Sequence, residues 1–513
     1  MSGHSAIRGD RFSMIQGART SLEKGSKPQY YPLNPPDTSP KQYNPYRPGY
    51  TATDLPMRSM EEYWSILDRL DKAATAAELL RISKQTGVAK IPLTASLQGF
   101  IHPAFFPIDP FHLFYENGMP WIWDVSTIHA KVGEAMRIPT DKLKSFGDHV
   151  VKAMRTLPPA FSGPVRDPFL KRQSQYKAFE WMAILHWYFL PIGLELEFNP
   201  KLLHVFSQFA YIVDYAMALE PRSESDLAQL RERIGLFLSQ FERLYVGDDP
   251  EMIHRCRLCI FQLIHVPIHI KWFGSIRLGS QATCERTIGE MGHKIKSKKD
   301  PFANLTTIIV EQESARIVQL YHPDLNTSQS KSPQQRKTSV LYQALRFRPD
   351  ETSNPLSAQS HILAIRALWN LPSLDVGSIE RFGKAKLSNG RTLHTFHGPQ
   401  PLVDTSDRSN FGEAISFYSV RVRGETKMVV VFSPLLALER PFPTVIRGRW
   451  PAENTSGGIL ATELRSVQDI IGIWEYTPTK NIYVQRKHPA YEFMKPVDLG
   501  LADDMEKDRD DDD

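Results

Sequence analysis

The sequence predicts an α+β protein, because two long regions of the chain carry different hydrophobic periodicities. From about residue 138 to residue 321, most segments show the apolar spacing of amphipathic helices, as in PKLLHVFSQFAYIVDYAMAL. The last third instead carries short runs of β-branched and aromatic residues between turn signals, such as KMVVVFSPL and NIYVQRK. Several short strands with little helix predict a small β-rich, barrel-like domain there.

The composition indicates a folded chain in a reducing compartment. The 513 residues are 41% hydrophobic, which is enough for roughly two to four domains with real cores. Three cysteines, Cys256, Cys259 and Cys284, are too few for a disulfide framework. The N-terminus has no apolar signal sequence, and the longest apolar run, residues 181–194, is too short to span a bilayer. We therefore expect a soluble intracellular protein with no membrane partner.

Charge is distributed unevenly along the chain. The formal net charge is +5, yet the C-terminal run from Asp503 to Asp513 is strongly acidic. The rest of the chain is therefore more basic than the total indicates, which is compatible with a polyanionic partner. An acidic tail of this kind is most often a disordered, solvating end.

The N-terminal third predicts a helix or helix pair, followed by a short apolar segment that ends at a carboxylate. The pattern over residues 59–86 predicts a helix or helix pair that is closed by Gly87. The following apolar segment, residues 100–108, is rich in Phe, Ile and Pro and predicts a short strand. Asp109 would then lie at the tip of that strand.

Residues 279–305 predict a helix that begins with an acidic residue and then becomes strongly basic. Four side chains recur at the spacing of a buried stripe: Cys284, Ile288, Met291 and Ile295. A neighbouring face carries Glu285, Gly289, Gly292 and Lys296. Because glycine costs about 1 kcal/mol against alanine inside a helix, two glycines call for a reason, such as close approach of a phosphate backbone or a metal ion. The alternative is a surface helix that tolerates two glycines.

Six segments together resemble the C-terminal half of fungal CACTA-type (En/Spm-like) DNA transposases. In chain order they are FFPIDPFHLFYENGMPWIW, KAFEWMAILHWYFLPIGLE, FLSQFERLY, SQATCERTIGEMGHKIKSKKDPFANL and the β-rich ISFYSVRVRGETKMVVVFSPLL with IIGIWEYTPTKNIYVQRKHPAYEF. The resemblance covers about residues 104–493 with gaps. It is specific as a set, and no single motif carries it.

The resemblance implies an RNase H-like core whose sheet is interrupted by a large helical insertion. In that family, three carboxylates bind two divalent ions, Mg²⁺ or Mn²⁺, about 3.5–4 Å apart. By motif, Asp109 would be the second carboxylate, in an Asp-x-x-His pattern that is completed by a supporting His112. Glu285, in a Glu-Arg-x-x-Gly context, would be the third. Both residues are thus predicted catalytic residues and metal ligands.

The chain also departs from the family pattern. No aspartate upstream of Asp109 follows a strand-like apolar run, so no first catalytic aspartate is identifiable. Asp10 and Ser13 stand where related proteins carry cysteines, and no zinc is therefore expected. A two-metal site that lacks one bridging carboxylate should bind its ions poorly, because ligand charge and number set the affinity for hard cations. These departures indicate a truncated, decayed or repurposed element.

The resemblance and the composition together predict six parts of the chain. They are a Pro/Tyr/Ser-rich disordered arm (1–57), a remnant of the RNase H-like core (58–137), a helical insertion with a returning core helix that holds Glu285 (138–323), a polar linker (324–340), a β-rich domain (341–496) and an acidic disordered tail (497–513).

Two other groups of residues invite a metal-site interpretation. Cys256-x-x-Cys259 could be half of a zinc site, but a structural site needs four ligands, and ordinary core thiols are the stronger interpretation. His265 and His269, spaced i and i+4, lack the intervening glutamate of the metalloprotease pattern. We expect them to be core or helix-surface histidines.

The strongest basic cluster lies at the end of the predicted Glu285 helix. Its members are Arg286, His293, Lys294, Lys296, Lys298 and Lys299. Such a cluster would neutralise several phosphates and give salt-sensitive DNA binding. The alternative is a solvated helix end, where cations also interact favourably with the helix dipole. The same run predicts nuclear import, and without it the protein would be cytoplasmic.

Three hypotheses for the function follow. The first is a transposase-derived DNA-binding protein that is catalytically incomplete. The second is an active two-metal transposase or nuclease, in which an unrecognised acid supplies the first ligand. The third is a host-adopted interaction protein whose β-rich domain binds a protein partner. The sequence leaves the oligomeric state and the recognised DNA open.

Overall fold

The structure is a computed structural model, and it divides the chain into two compact units. It describes residues 6–18, 29–34, 49–158, 161, 163–172, 176–295, 297, 299–322, 340–345, 358–373, 379–387, 392–394, 402–405, 410–451 and 458–487. The first unit comprises Met1–Val151 and Pro164–Thr283, and the second comprises Lys152–Gly163 and Cys284–Asp513. The α+β prediction is confirmed, with mainly helical chain before Tyr321 and antiparallel sheet after Val340. The predicted linker up to residue 339 and the predicted acidic tail lie outside the described residues.

Fourteen α-helices occur in the described residues. They are α1 (Met60–Asp71), α2 (Ala76–Thr86), α3 (Met119–Ser126), α4 (Thr140–Ala153), α5 (Pro168–Lys171), α6 (Ala178–Ala183), α7 (Phe189–Glu195), α8 (Pro200–Met217), α9 (Glu224–Tyr245), α10 (Leu258–Phe261), α11 (Val266–Phe273), α12 (Ala282–Lys294), α13 (Pro301–Tyr321) and α14 (Ala358–Leu368). Two π-helical turns, Phe111–Gly118 and Ile184–Tyr188, run directly into α3 and α7.

The predicted helix pair over residues 59–86 is confirmed. The Ser59 side chain caps α1 by accepting a hydrogen bond from the backbone N–H of Glu62. Helix α2 ends at Gly87, whose φ of 75° lies in the left-handed region. A Cβ at this position would also meet the Arg8 carbonyl oxygen at 2.1 Å, so only glycine fits the turn.

The central helices of the first unit pack through aromatic side chains. The Phe189 and Phe206 rings stack with their centroids 3.8 Å apart, joining α7 to α8. Trp181, Trp187 and Tyr188 are buried in the same core, and Phe179 is partly buried. Helix α9 begins at Glu224. Its capping box pairs Ser223 with Asp226.

The predicted strand over residues 100–108 is wrong. This segment forms a turn over residues 102–105, which contains Pro103, and irregular chain around Pro107, and no β-strand occurs in the described residues before Val340. Proline removes a backbone donor and fixes φ, so two prolines within five residues disfavour strand pairing. Asp109 consequently precedes a π-helical turn and does not end a strand.

The predicted disordered arm over residues 1–57 is wrong for the parts that the structure describes. Residues 6–18 and 29–34 pack against the helices, and Phe12, Ile15 and Tyr31 are buried. The Tyr31 backbone N–H donates to the Cys256 carbonyl oxygen at 2.8 Å. The apolar residues that drive this packing are isolated from one another in the sequence, so they show no period.

The second unit is built on an antiparallel sheet of eleven strands. They are β1 (Val340–Leu345), β2 (Ile379–Lys386), β3 (Thr392–His394), β4 (Leu402–Thr405), β5 (Asn410–Val422), β6 (Glu425–Pro434), β7 (Leu436–Phe442), β8 (Val445–Arg449), β9 (Leu460–Glu463), β10 (Val467–Tyr476) and β11 (Asn481–Arg486). The main order is β1-β2-β5-β4-β10-β11-β8-β7, with β3 beside β2 and with β6 joining β5 to β9. This pairing path has two open ends, β1 and β7.

The longest pairing in this sheet is the β5–β6 hairpin. It turns through Arg423 and Gly424, both with positive φ (51° and 84°), as in the type I′ turns that suit twisted hairpins. One face of the hairpin buries Tyr418 and Val429 beneath Ile365 of α14. The other face contributes Phe417 to a second apolar cluster.

Candidate functional site

The Asp109 turn, residues 108–112, holds its carboxylate with hydrogen bonds on both oxygens. Oδ1 accepts from the backbone N–H groups of Phe111 (3.1 Å) and Gln281 (3.0 Å). Oδ2 accepts from the His112 N–H at 3.4 Å and contacts the His112 Nδ1 atom. The structure therefore brings Asp109 and His112 together, and it leaves the Asp109 side chain only 11% exposed.

This arrangement does not fit a divalent cation at Asp109. An ionised carboxylate offers about four lone-pair positions. Four nitrogen groups already approach the two oxygens of Asp109, and three of them are backbone N–H groups that cannot leave without moving the chain. A metal ion would have to displace at least one of them, so the carboxylate is better suited to holding backbone than to coordinating Mg²⁺ or Mn²⁺.

The backbone on the other side of Asp109 is held by a buried histidine. The Ile108 N–H donates to Nδ1 of His269 at 3.3 Å, and the His269 side chain is fully buried. Burial lowers the pKa of His269 to about 3, so its ring is neutral at neutral pH and Nδ1 keeps its lone pair. His269 lies in α11, and its buried position confirms the expected core histidine.

His265, one turn before His269, belongs to a second buried group, which we name the Asp10 cluster: Asp10, Ser13 and His265. Oδ2 of Asp10 lies 2.9 Å from Nε2 of His265 and 2.5 Å from Oγ of Ser13. None of the three side chains is more than 1% exposed. Burial raises the pKa of Asp10, but the His265 ring and the Ser13 donors outweigh it and lower the pKa overall.

Arg58 links the N-terminal segment around Asp10 to the end of α2 by hydrogen bonds. Its guanidinium donates to the Asp10 carbonyl oxygen at 3.2 Å and to the Thr86 carbonyl oxygen at 2.8 Å. Sequence reasoning noticed Asp10, Ser13 and His265 separately but did not join them. The spacing of Asp10 and Ser13 (i, i+3) and of His265 and His269 (i, i+4) was the available signal, because each pair presents two polar groups on one side of a turn.

Glu285 lies in the first turn of α12, on an exposed surface. The predicted buried stripe on this helix is wrong, since Cys284 is exposed, Ile288 is 64% exposed and only Ala282 is buried. Gly289 and Gly292 face open space, and no protein atom lies where their Cβ atoms would be. Asp109 belongs to the first unit and Glu285 to the second, and their sharing of a metal site stays a prediction.

The predicted basic cluster lies along and beyond the end of α12. His293 and Lys299 are exposed, and Arg286 and Lys294 are partly exposed. Lys296 and Lys298 lie outside the described residues. Acidic Glu285 at the start of α12 and basic His293 and Lys294 at its end both interact favourably with the helix dipole.

The cysteines form no disulfide and behave as separate thiols. Cys256 is buried, Cys284 is exposed, and burial raises the pKa of Cys259 to about 11. A thiol with so high a pKa stays protonated at neutral pH, which disfavours metal ligation. Within the described ranges, no set of three or more His, Cys, Asp or Glu side chains has a metal-binding arrangement.

None of the helices that the structure describes combines the length and the hydropathy of a transmembrane segment. No protein-family model, curated protein sequence or solved structure matches this chain.

Proposed function

We propose that this chain is a transposase-derived DNA-binding protein with an incomplete catalytic site and a remnant of an RNase H-like core. The observation that carries the proposal is helix α12, which exposes all its residues but Ala282, at least in part, and ends in basic side chains. Two glycines with open space above them leave the helix surface flat. A phosphate backbone could approach such a surface closely, because no side chain stands in its way.

The saturated carboxylate of Asp109 supports the catalytic part of this proposal. Four nitrogen groups approach its two oxygens, so it offers little to the divalent ions of a two-metal reaction. The hydrogen bond from Gln281 instead gives Asp109 a role in holding the residue that precedes α12. Asp109 would thus have kept its position in the chain but would hold the backbone at Gln281 and not a metal ion.

Salt-dependent binding to duplex DNA tests the DNA-binding part. The variant Arg286→Gln/Lys294→Gln/Lys299→Gln removes three cations from the α12 region. For every phosphate that the protein no longer neutralises, the slope of log K against log salt should become shallower by about 0.9. The matched control, Arg69→Gln/Lys84→Gln/Lys90→Gln, removes the same charge from exposed positions around α1 and α2.

We expect the α12 variant to show weaker affinity and a shallower slope, and the control to change little in either. Equal changes in both variants would show that net charge alone attracts DNA. No measurable affinity in the unaltered protein would reject the proposal and favour the host-adopted interaction protein.

The second candidate, an active two-metal nuclease, makes a separate prediction about Mn²⁺. It requires calorimetric Mn²⁺ binding that disappears in both Asp109→Asn and Glu285→Gln. The proposed function predicts no such binding in the unaltered chain.

A further inference from the structure

The N-terminal segment and the start of α12 are linked by a series of contacts: two buried hydrogen bonds, one exposed hydrogen bond, and the helical turn between His265 and His269. We name it the anchoring series, and its members are Asp10, His265, His269, Ile108, Asp109 and Gln281. Asp10 contacts His265, and His269 follows one helical turn later. His269 accepts from Ile108, and Asp109 accepts from Gln281, the residue immediately before α12. All six residues belong to the first unit.

We propose that Asp10 and His269 are positioning residues for the Asp109 turn, and that through this turn they fix the residue from which α12 starts. The N-terminal segment, residues 6–18, would then help to fix the backbone at Gln281, where the first unit leads into α12. Only the expected effect of these residues on DNA binding rests on the proposed function. The anchoring itself is a property of the first unit.

The chemistry of His269 suits this task. The Ile108 N–H donates to Nδ1, so the ring proton sits on Nε2, and this tautomer is required for the contact. Phe12 of the N-terminal segment packs against both imidazoles, with ring centroids 5.1 Å from His265 and 4.6 Å from His269. The segment therefore contacts both histidines, His265 through the Asp10 carboxylate and the Phe12 ring, and His269 through the Phe12 ring.

Packing alone would not require these polar groups. Within the described residues, Nε2 of His269 and Oδ1 of Asp10 have no hydrogen-bond partner although both are buried. Unpaired buried polar atoms cost stability, and an apolar side chain of similar volume would avoid that cost. The buried imidazole and carboxylate thus point to a requirement for defined geometry at Ile108 and Asp109.

Hydrogen exchange at single-residue resolution on the full chain tests the anchoring. His269→Phe keeps a ring but removes the acceptor, whereas His269→Asn keeps an acceptor oxygen near the position of Nδ1. We expect the Ile108 amide to exchange about tenfold faster in His269→Phe and near the original rate in His269→Asn. All rates are taken relative to buried α8 amides such as that of Phe209, which corrects for general destabilisation. Equal acceleration in both variants, or none in His269→Phe, would overturn the role of His269.

Asp10→Asn tests the other end of the anchoring series. It should accelerate exchange at Ser13, Ile108 and Gln281, while Asp248→Asn, at an exposed position, should change none of them. Acceleration confined to Ser13 would show that the N-terminal segment is not coupled to the Asp109 turn.

DNA binding separates this inference from the proposed function. In His269→Phe the cations of α12 all remain, so affinity should fall several-fold while the salt slope stays unchanged. If the unaltered protein does not bind DNA, the proposed function fails, and the exchange rates still decide the anchoring. If DNA binds but His269→Phe binds equally well, the consequence for α12 is rejected.

Discussion

Each unit holds distant segments of its own chain together, and the chemistry of that contact differs between the two units. In the first unit, Asp10 and His265 form a buried acid–imidazole pair between residues 255 positions apart. In the second unit, Nδ1 of His361 on α14 lies 2.6 Å from the Tyr418 hydroxyl on β5, which is a neutral contact. Both contacts join a helix to a segment remote in sequence, but only the first contains a carboxylate.

The difference follows from what else connects the segments. In the second unit, backbone hydrogen bonds join neighbouring strands along the whole sheet, so side chains need only seat α14 on its surface. In the first unit, helices satisfy their backbone groups internally and the N-terminal segment has only isolated bridges, such as Ser13–Met57. Side chains must therefore supply the directional contacts there, and charge-assisted hydrogen bonds are the strongest available.

Mild acid should produce the largest effect and should distinguish the units. Burial lowers the pKa of His102 to about 4 and of His269 to about 3 in the first unit, and of His361 to about 4 in the second. These rings stay neutral when folded but take up protons near pH 6.5 when unfolded. Stability therefore decreases as pH falls below 6.5, by about 2 kcal/mol per ring between pH 7 and pH 5.

The first unit should accordingly lose about 4 kcal/mol and the second about 2 kcal/mol over that interval. Amide hydrogen exchange on the full chain at pH 7 and pH 5 gives the free energy of opening of each unit, and so measures the two losses separately. Asp10 does not enter this window, because its lowered pKa preserves its contribution until the pH falls below 3.8. Equal losses in the two units would contradict the comparison, and His361→Phe should abolish the loss in the second unit alone.

Removing the Asp10 carboxylate should have the next largest effect. Asp10→Ala leaves His265 and Ser13 buried without their shared acceptor, and we expect a loss of about 3 kcal/mol in the first unit. The matched control Asp248→Ala, at an exposed position, should lie within about 0.5 kcal/mol of the unaltered protein. Denaturant unfolding that is followed by exchange in α8 and α9 measures both. A loss no larger than the control would show that the Asp10 cluster is not a stabilising contact.

The neutral contact in the second unit should be worth less. Tyr418→Phe keeps the ring beneath α14 but removes the hydroxyl, and should cost about 1–2 kcal/mol. Tyr321→Phe, at a residue that is 79% exposed, is the control and should cost nothing measurable. Exchange of the α14 amides reports the difference. A loss as large as that of Asp10→Ala would remove the distinction between charged and neutral contacts.

The smallest effects should come from α12, in which every residue after Ala282 is at least partly exposed. Gly289→Ala and Gly292→Ala meet no atom, so each should stabilise the helix by up to about 1 kcal/mol. Amide exchange within α12 measures this gain. If the glycines admit a phosphate backbone, the same variants should bind DNA more weakly in spite of the more stable helix. Unchanged DNA affinity would show that the glycines are simply tolerated.

Local signals in the sequence predicted the elements that local chemistry determines. The helix pair α1–α2 and its end at Gly87 were predictable, because a cap and a left-handed glycine act within a few residues. The change from helices to strands was predictable from periodicity alone. The wrong strand prediction over residues 100–108 shows the limit of such local signals. It relied on the apolar residues of the segment and gave too little weight to its two prolines, which disfavour strand pairing.

The candidate site was less predictable, because its contacts are long-range. The Asp-x-x-His spacing placed His112 at Asp109 correctly, since both lie in one turn. Nothing local indicates that Gln281 donates to Asp109 or that Asp10 meets His265. The α12 stripe failed for a related reason. Helical spacing specifies which residues share a face, but burial depends on whether another element covers that face.

The length of chain between Asp10 and His265 has a consequence for biosynthesis. The two residues are 255 positions apart, so the N-terminal segment emerges from the ribosome long before its partner is made. At about 5–20 residues per second, the interval is on the order of 10–50 s. During this interval the Phe12 and Ile15 side chains are exposed to water, and the Asp10 carboxylate lacks its His265 partner. The first unit can close around them only when α11 has been synthesised, so these apolar side chains stay exposed on the nascent chain until then.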